Sequence, residues 1–255
     1  MSGGPSGGLE RLTAWLRSGR PTVALTGAGV STDSGIPDFR GGAGLWDEVD
    51  PMEVASAQGF YEDPARFYRF WRRRFAVIAS AEPNVCHRFL ALLERKGVLR
   101  TLVTQNVDGL HQRAGSERVL EVHGSFARAR CTGCGEAVPG RDVLAGAPEA
   151  PPPACAGCGS LVRPDVVLFG ELLPPDVFEA AVEAVDAAEV VLVMGTSLQV
   201  QPVAGLVPRA LHRGKDVAIL NGAPGPYDEA ADVVLHGPLG ATVPRLLDTL
   251  GWPLD

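Results

Sequence analysis

The 255-residue chain has no run of 18 or more apolar residues, so no stretch of it reads as a membrane span. It has no excess of basic residues either. Lys and Arg number 23 against 30 Asp and Glu, a formal net charge of −7, which argues against broad nucleic-acid binding and leaves room for basic protein segments as partners. The first eight residues, Met1 to Gly8, lack both a basic start and an apolar stretch and read as a flexible tail rather than a signal peptide. An intracellular, cytoplasmic setting is the expectation. Cysteine is scarce, five in all. Four of the five form the pairs Cys131-x-x-Cys134 and Cys155-x-x-Cys158, with 20 residues between them. In a reducing setting that spacing reads as a metal site rather than a pair of disulfides. Four thiolates complete tetrahedral zinc and leave no open coordination position, so the expected role is one structural zinc. Cys86 stands apart and reads as a small buried residue.

A further absence shapes the first strand. Residues 22 to 25 are an apolar, β-branched run that reads as a buried strand. It breaks at Gly27-Ala28-Gly29, where missing side chains let backbone N–H groups approach an anion. A helix starting at once behind the turn would aim its N-terminal dipole at a phosphate. The dinucleotide fingerprint then asks for a third glycine, and the chain has Thr32. No strand ending in an acidic residue follows about 20 residues on, as a hydride-transferring dinucleotide domain requires. In its place comes a polar loop, Ser34 to Gly41, with Asp38 and Arg40 able to grip a ligand and Phe39 able to cover it. A plain glycine turn with a surface loop is the alternative at this stage.

The rest of the chain alternates helical and strand patterns. Seven of the 16 aromatic residues (Phe60, Tyr61, Phe67, Tyr68, Phe70, Trp71 and Phe75) crowd a helical stretch, the pattern of a small helical core or of an apolar channel wall. Strands are expected at 98–104, 119–122, 190–194, 217–220 and 233–235. Such alternation implies a parallel sheet with its ligand site outside the carboxyl ends of the strands. The Gly-Ala-Gly turn, the Gln105-Asn106-Val107-Asp108 segment and His123 all fall at such ends. Asn106 and Asp108 suit a ribose or a carboxamide, and equally suit an Asx-rich helix cap. His123 reads as a base or ligand, or as a packed histidine. His87, His111, His212 and His236 read as structural or solvated.

Taken together these segments resemble the sirtuins, the NAD-dependent protein-lysine deacylases. The resemblance runs from about Leu9 to Leu250. It is carried by residues 27–31, 34–41 and 105–111, by His123-Gly124, by the four cysteines, by residues 163–171 and by residues 195–200. It implies an α/β fold: a doubly wound, parallel-sheet, Rossmann-like NAD domain (9–41, 88–127 and 164–255). A smaller domain is made of a helical insertion (42–87) and a zinc-binding insertion (128–163). It implies NAD as co-substrate, with Gly27, Ala28, Gly29, Ser31, Gly195, Thr196 and Ser197 at the pyrophosphate. Asn221 and Leu239 would lie at the adenosine end, and Gln105, Asn106 and Asp108 in the ribose and nicotinamide pocket. Asp38, Phe39 and Arg40 would form the covering loop. An acyl-lysine protein or peptide would add a strand against Val167, Phe169, Gly170 and Glu171. His123, with Asn106 beside it, would be catalytic, His123 taking the proton of a ribose hydroxyl. Acyl-lysine would become lysine, with release of nicotinamide and O-acyl-ADP-ribose.

Within that family, the desuccinylase branch looks to carry a Tyr-x-x-Arg pair. Here Tyr68 is followed by Trp71, and Arg72 comes one place late, a turn of about 100° on a helix. Uncharged acyl groups are therefore expected, on a monomer that touches neither nucleic acid nor membrane. A mono-ADP-ribosyltransferase using the same NAD site is the nearest rival reading. A non-catalytic zinc-ribbon module is a second, and leaves the glycine turn and His123 unexplained.

Overall fold

The computed structural model describes residues 5–38 and 49–254. Strand β1 (Thr22–Thr26) is buried along its whole length, as continuous apolar runs are in parallel sheets covered on both faces. The first excursion after it carries α2 (Pro51–Val54), α3 (Ala57–Glu62) and α4 (Pro64–Ser80), and α1 (Pro5–Arg17) precedes it. Helix α5 (Val85–Arg95), β2 (Leu99–Thr104), α6 (Leu110–Arg113) and β3 (Val119–Glu121) return to the sheet. A second excursion holds β4 (Gly124–Cys131), β5 (Ala137–Pro139), α7 (Gly140–Leu144) and β6 (Val162–Val166). The chain closes with α8 (Pro175–Ala187), β7 (Val190–Met194), α9 (Leu206–His212), β8 (Asp216–Asn221), β9 (Val233–His236) and α10 (Leu239–Leu250).

The main sheet has six parallel strands in the order β3-β2-β1-β7-β8-β9. Alternate residues feed opposite faces. Ala24, Leu102, Leu192 and Leu220 meet Leu12, Leu16, Phe89, Leu93 and Leu246 of α1, α5 and α10. Val23, Leu25, Val193 and Ile219 meet Val185, Val207 and Ala210 of α8 and α9. The sheet grows in opposite directions from the β1/β7 pair, so the loops that follow these two strands diverge and leave a crevice between them.

The two excursions share one core. Phe60, Phe67, Tyr68 and Trp71 pack with Phe126, Val143, Leu144 and Val162, joining the helices to the antiparallel sheet β5-β4-β6. Their rings meet edge-on, as in the Phe60–Phe67 pair at 5.0 Å and 82°.

Two expectations are corrected, one at the tail and one behind the glycine turn. Helix α1 takes in Pro5 to Gly8 of the expected tail, because the chain there packs on β9: a Cβ on Gly8 would lie 3.4 Å from Leu235. The small sheet opens at Gly124 and closes at Val166, because Gly124 and Ser125 pair with Val166 and Asp165. Helix α5 starts at Val85, and its Cys86 lies in the core under the sheet. No helix follows the glycine turn. Two 3₁₀ turns, Ala28–Val30 and Thr32–Ser34, take its place.

The reason lies across the crevice. Gly27 donates to the Met194 carbonyl at 3.2 Å and Gly29 to the Gly195 carbonyl at 2.8 Å. The two loops are thus clamped main chain to main chain. A Cβ on Gly195, whose φ is +61°, would stand 2.5 Å from the Val30 nitrogen. The expected result for Gly195→Ala is a loss of about 3 kcal/mol, from left-handed strain and overpacking against backbone. Denaturant midpoints measure it, and an unchanged midpoint would contradict the clamp.

Candidate functional site

The carboxyl ends of β1 and β2 bring Thr26 beside Thr104, with their hydroxyls 2.9 Å apart. Beyond them the two chains supply Ser31 on one side and Gln105, Asn106 and Asp108 on the other. Ser31 is the hub. Its Oγ donates to Asp108 Oδ2 at 2.7 Å, accepts from Asn106 Nδ2 at 3.1 Å, and lies 3.3 Å from His87 Nε2. Asp108 Oδ1 accepts from the Leu110 N–H at 2.9 Å. One Asp108 oxygen thus meets the first N–H of α6 and the other joins the crevice network. Burial raises the Asp108 carboxyl above its ordinary range, and the Leu110 and Ser31 donors partly offset this.

Gln105 bridges the clamp, donating from Nε2 to Thr196 Oγ1 at 2.9 Å, while its N–H bonds the Thr26 carbonyl at 3.0 Å. The Thr196 hydroxyl also accepts from the Leu198 N–H at 3.3 Å. Leu198 is buried and held at φ +54°, a left-handed conformation costing about 1–2 kcal/mol for a non-glycine. Such local strain persists only where surrounding structure dictates it.

His123 falls in the turn between β3 and β4, since β3 stops at Glu121, one residue earlier than expected. It thus stands where the chain leaves the main sheet for the small one. Gly124 is what permits the departure: a Cβ there would meet the Asp165 carbonyl at 2.1 Å. His123 Nδ1 lies 3.1 Å from the Gln105 carbonyl. A carbonyl only accepts, so Nδ1 carries the ring proton and Nε2 keeps its lone pair. Burial lowers the His123 pKa, with the Gln105 carbonyl opposing it. Such a group is neutral at pH 7 and suited to take a proton.

Other expected residues are placed differently. Val167 donates to the His123 carbonyl at 2.9 Å, which brings the start of residues 167–171 beside His123. Phe169 pairs with Ala55 and Ala57 through its N–H and C=O, and Glu171 clamps Arg163 with both oxygens, at 2.6 and 2.9 Å. Asn221 ends β8 with its amide turned to the Ala223 carbonyl. The Leu239 side chain belongs to the core, so only its main chain at the start of α10 is available to a ligand. Asp38 ends the first described segment, and Phe39 and Arg40 lie outside the described residues.

The thiols of Cys131, Cys134, Cys155 and Cys158 lie within 4.8 Å of one another. Tetrahedral zinc with Zn–S near 2.3 Å needs sulfurs about 3.8 Å apart. The Cys131–Cys158 and Cys134–Cys155 pairs, at 3.4 and 3.7 Å, fit it. The N–H groups of Gly133 and Cys134 point at Cys131 Sγ, as suits a thiolate.

Sequence reasoning missed three residues. Asn84 donates to Val30 and Ser34 while capping α5, holding the 3₁₀ turns in place. His87 and His111 are buried beside the crevice with ring centroids 4.9 Å apart. His111 Nε2 reaches Thr26 Oγ1 at 3.0 Å. Only the Pro83-Asn84 cap gave any signal in the sequence.

A family model described as Sir2 family matches residues 27–202. The chain is 44% identical to the NAD-dependent protein deacylase 1 of Archaeoglobus fulgidus, covering 93% of this chain and 96% of that one. It is 47% identical to the NAD-dependent protein deacetylase 2 of Streptomyces coelicolor, covering 92% and 100%. Among solved structures, a Sir2 homologue in complex with NAD superposes with a TM-score of 0.88 at 42% identity, covering 96% and 95%. A Sir2 variant with a deacetylated p53 peptide and 3'-O-acetyl ADP-ribose gives 0.89 at 36% identity, covering 94% and 98%.

The buried histidines generate a pH prediction. Burial pushes His87 down to about 4. Burial, with the neighbouring His87, pushes His111 down to about 3. Both lie below the 6.5 of an unfolded histidine, so acid protonates the unfolded chain first. Each therefore contributes stability, on the order of a few kcal/mol, that is complete above 6.5 and lost as pH falls toward its folded value. Urea midpoints should drop between pH 6.5 and 4.5, and the drop should be shallower in His111→Gln.

Proposed function

The chain belongs to the Sir2 family and is an NAD-dependent protein deacylase; we propose how its own residues divide the work on acyl-lysine. The observation that carries the proposal is the His123–Gln105 contact, which leaves Nε2 as the basic atom at the crevice. NAD, when bound, supplies the activated ribose that accepts the acyl group as nicotinamide leaves. His123 takes the proton from a ribose hydroxyl through Nε2. Gln105, Asn106 and Asp108 line the ribose and nicotinamide pocket, where paired donors and acceptors suit hydroxyls and a carboxamide. Gly27, Ala28, Gly29, Ser31, Gly195, Thr196 and Ser197 face the pyrophosphate, with Asn221 and the Leu239 main chain at the adenosine end. Asp38, Phe39 and Arg40 belong to the cover.

The acyl-lysine peptide lies between the lobes, along Val167, Phe169, Gly170 and Glu171. The N–H groups of Val167, Leu168, Phe169 and Glu171 already have partners. Strand addition therefore falls to Gly170 and the Val167 carbonyl, which bond no partner among the described residues. One zinc is held by Cys131, Cys134, Cys155 and Cys158. It has a structural role, since four thiolates fill its coordination and the small lobe is short of apolar residues outside its aromatic core. No helix among the described residues is long and apolar enough to cross a membrane. A cytoplasmic monomer acting on protein substrates is the simplest form consistent with a reduced thiol quartet and a charge of −7.

The expected outcome for His123→Ala is loss of deacylation, at least a hundredfold in kcat, with one zinc per chain and an unchanged melting temperature. Near-normal turnover would refute the role.

The acyl preference rests on two side chains. Tyr68 is fully buried with its hydroxyl on the Val162 carbonyl, and the Arg72 guanidinium bonds the carbonyls of Ala150 and Pro151. Neither is placed to read an acidic acyl group. Incubation of acetyl-, butyryl- and succinyl-peptides with NAD, followed by mass spectrometry, should give O-acetyl-ADP-ribose faster than the succinyl product. An ADP-ribosylated protein in place of O-acyl-ADP-ribose would favour transferase chemistry instead.

A further inference from the structure

His87 has no assigned part in the reaction, yet its ring is placed as a tool rather than as filling. The main-chain N–H of Asn84 points at His87 Nδ1 from 3.2 Å. An N–H only donates, so Nδ1 is the acceptor and the ring proton sits on Nε2. That nitrogen lies 3.3 Å from Ser31 Oγ. Asn106 Nδ2 also donates to this oxygen. Both acceptor positions of the hydroxyl are thereby filled, and its single proton has one direction left, toward Asp108 Oδ2 at 2.7 Å.

We propose that His87 is a positioning residue of the deacylase, acting through Ser31 to fix how Asn106 and Asp108 face the nicotinamide side of the crevice. The inference rests on the reading of Ser31, Asn106 and Asp108 as NAD-pocket residues. His87 touches no substrate; its effect passes through one hydroxyl. Without the Nε2 donor, Ser31 is free to rotate its proton away. Asp108, buried and raised by burial, then loses the donor that holds its Oδ2. Asn106 loses the fixed acceptor that orients its amide. The ring is itself held, its edge against His111 at 61° between planes. Burial keeps it neutral, so the Nε2-protonated tautomer persists through the working pH range.

Two substitutions separate this role from packing. His87→Asn keeps an acceptor near the Nδ1 position, facing Asn84, and removes the donor to Ser31. His87→Gln places an amide N–H near the Nε2 position and keeps that donor. With NAD varied at saturating acetyl-peptide, His87→Asn should lose about tenfold in kcat/KM for NAD, the size of one orienting hydrogen bond. His87→Gln should remain within about threefold of the parent. In a Ser31→Ala background, adding His87→Asn should change kcat/KM by less than about twofold, because the group it acts through is gone. A second tenfold loss in that background would overturn the proposal, as would equal losses in the Asn and Gln variants. If Ser31→Ala itself left kcat/KM for NAD unchanged, the pocket reading would fall first. Melting temperatures of each variant identify losses due to unfolding.

Discussion

Two main-chain hydrogen bonds between the loops that follow β1 and β7 hold everything else in place. Gly27 and Gly29 donate across to Met194 and Gly195, and no side chain at Gly29 or Gly195 is compatible with the approach. The glycines of this turn therefore serve first to let two backbones touch. One consequence is that the Gly29 N–H, bonded to protein, is not offered to a phosphate. Another is that the chain leaves the turn through short 3₁₀ segments rather than a helix, so the full dipole of a helix N-terminus is absent. The side chains of Ser31 and Gln105 stand immediately beside the clamp.

Those side chains work in a desolvated setting, and that decides their protonation. His87 and His111 are buried beside the crevice, His87 between the Asn84 N–H and the Ser31 hydroxyl and His111 against the Thr26 hydroxyl, and burial keeps both neutral. In a neutral ring the hydrogen-bond partner selects the tautomer, and a fixed tautomer gives direction to the next hydrogen bond. Asn84 sets His87, His87 and Asn106 set Ser31, and Ser31 sets Asp108. A charged His87 would turn Nδ1 into a donor facing the Asn84 N–H and break the chain at its start. His123 differs in being half-buried and in having one nitrogen tied to a carbonyl, which leaves the other for chemistry.

How much of this was legible in the sequence follows from the range of the interactions involved. The parallel sheet, the thiol quartet and the position of His123 past a strand end were readable because each is a local pattern: apolar runs, C-x-x-C pairs, a histidine beside a glycine. The helix behind the glycine turn was misread because its formation is decided by Gly195, over 160 residues away in the chain. The small sheet takes in Gly124 and Ser125 because they pair with Val166 and Asp165, a register that no local pattern announces. His87 was missed for the same reason. At the sequence level it is one polar residue in the first turn of a helix, and the ring's partners come from residues 31 and 111.

The small domain shows how a site can be shaped from behind. Its helices and its antiparallel sheet are stitched by one aromatic core, in which Tyr68 and Arg72 are consumed by bonds to Val162, Ala150 and Pro151. Burying a tyrosine and an arginine with those carbonyls ties the helical excursion to the cysteine-bearing one. Had Arg72 fallen one position earlier, the 100° rotation along α4 would have turned the guanidinium away from those carbonyls. The Ala150 and Pro151 carbonyls would then have needed other donors. The joining of the two excursions thus depends on this residue spacing, and a change that redirects Arg72 has to loosen the domain that holds it.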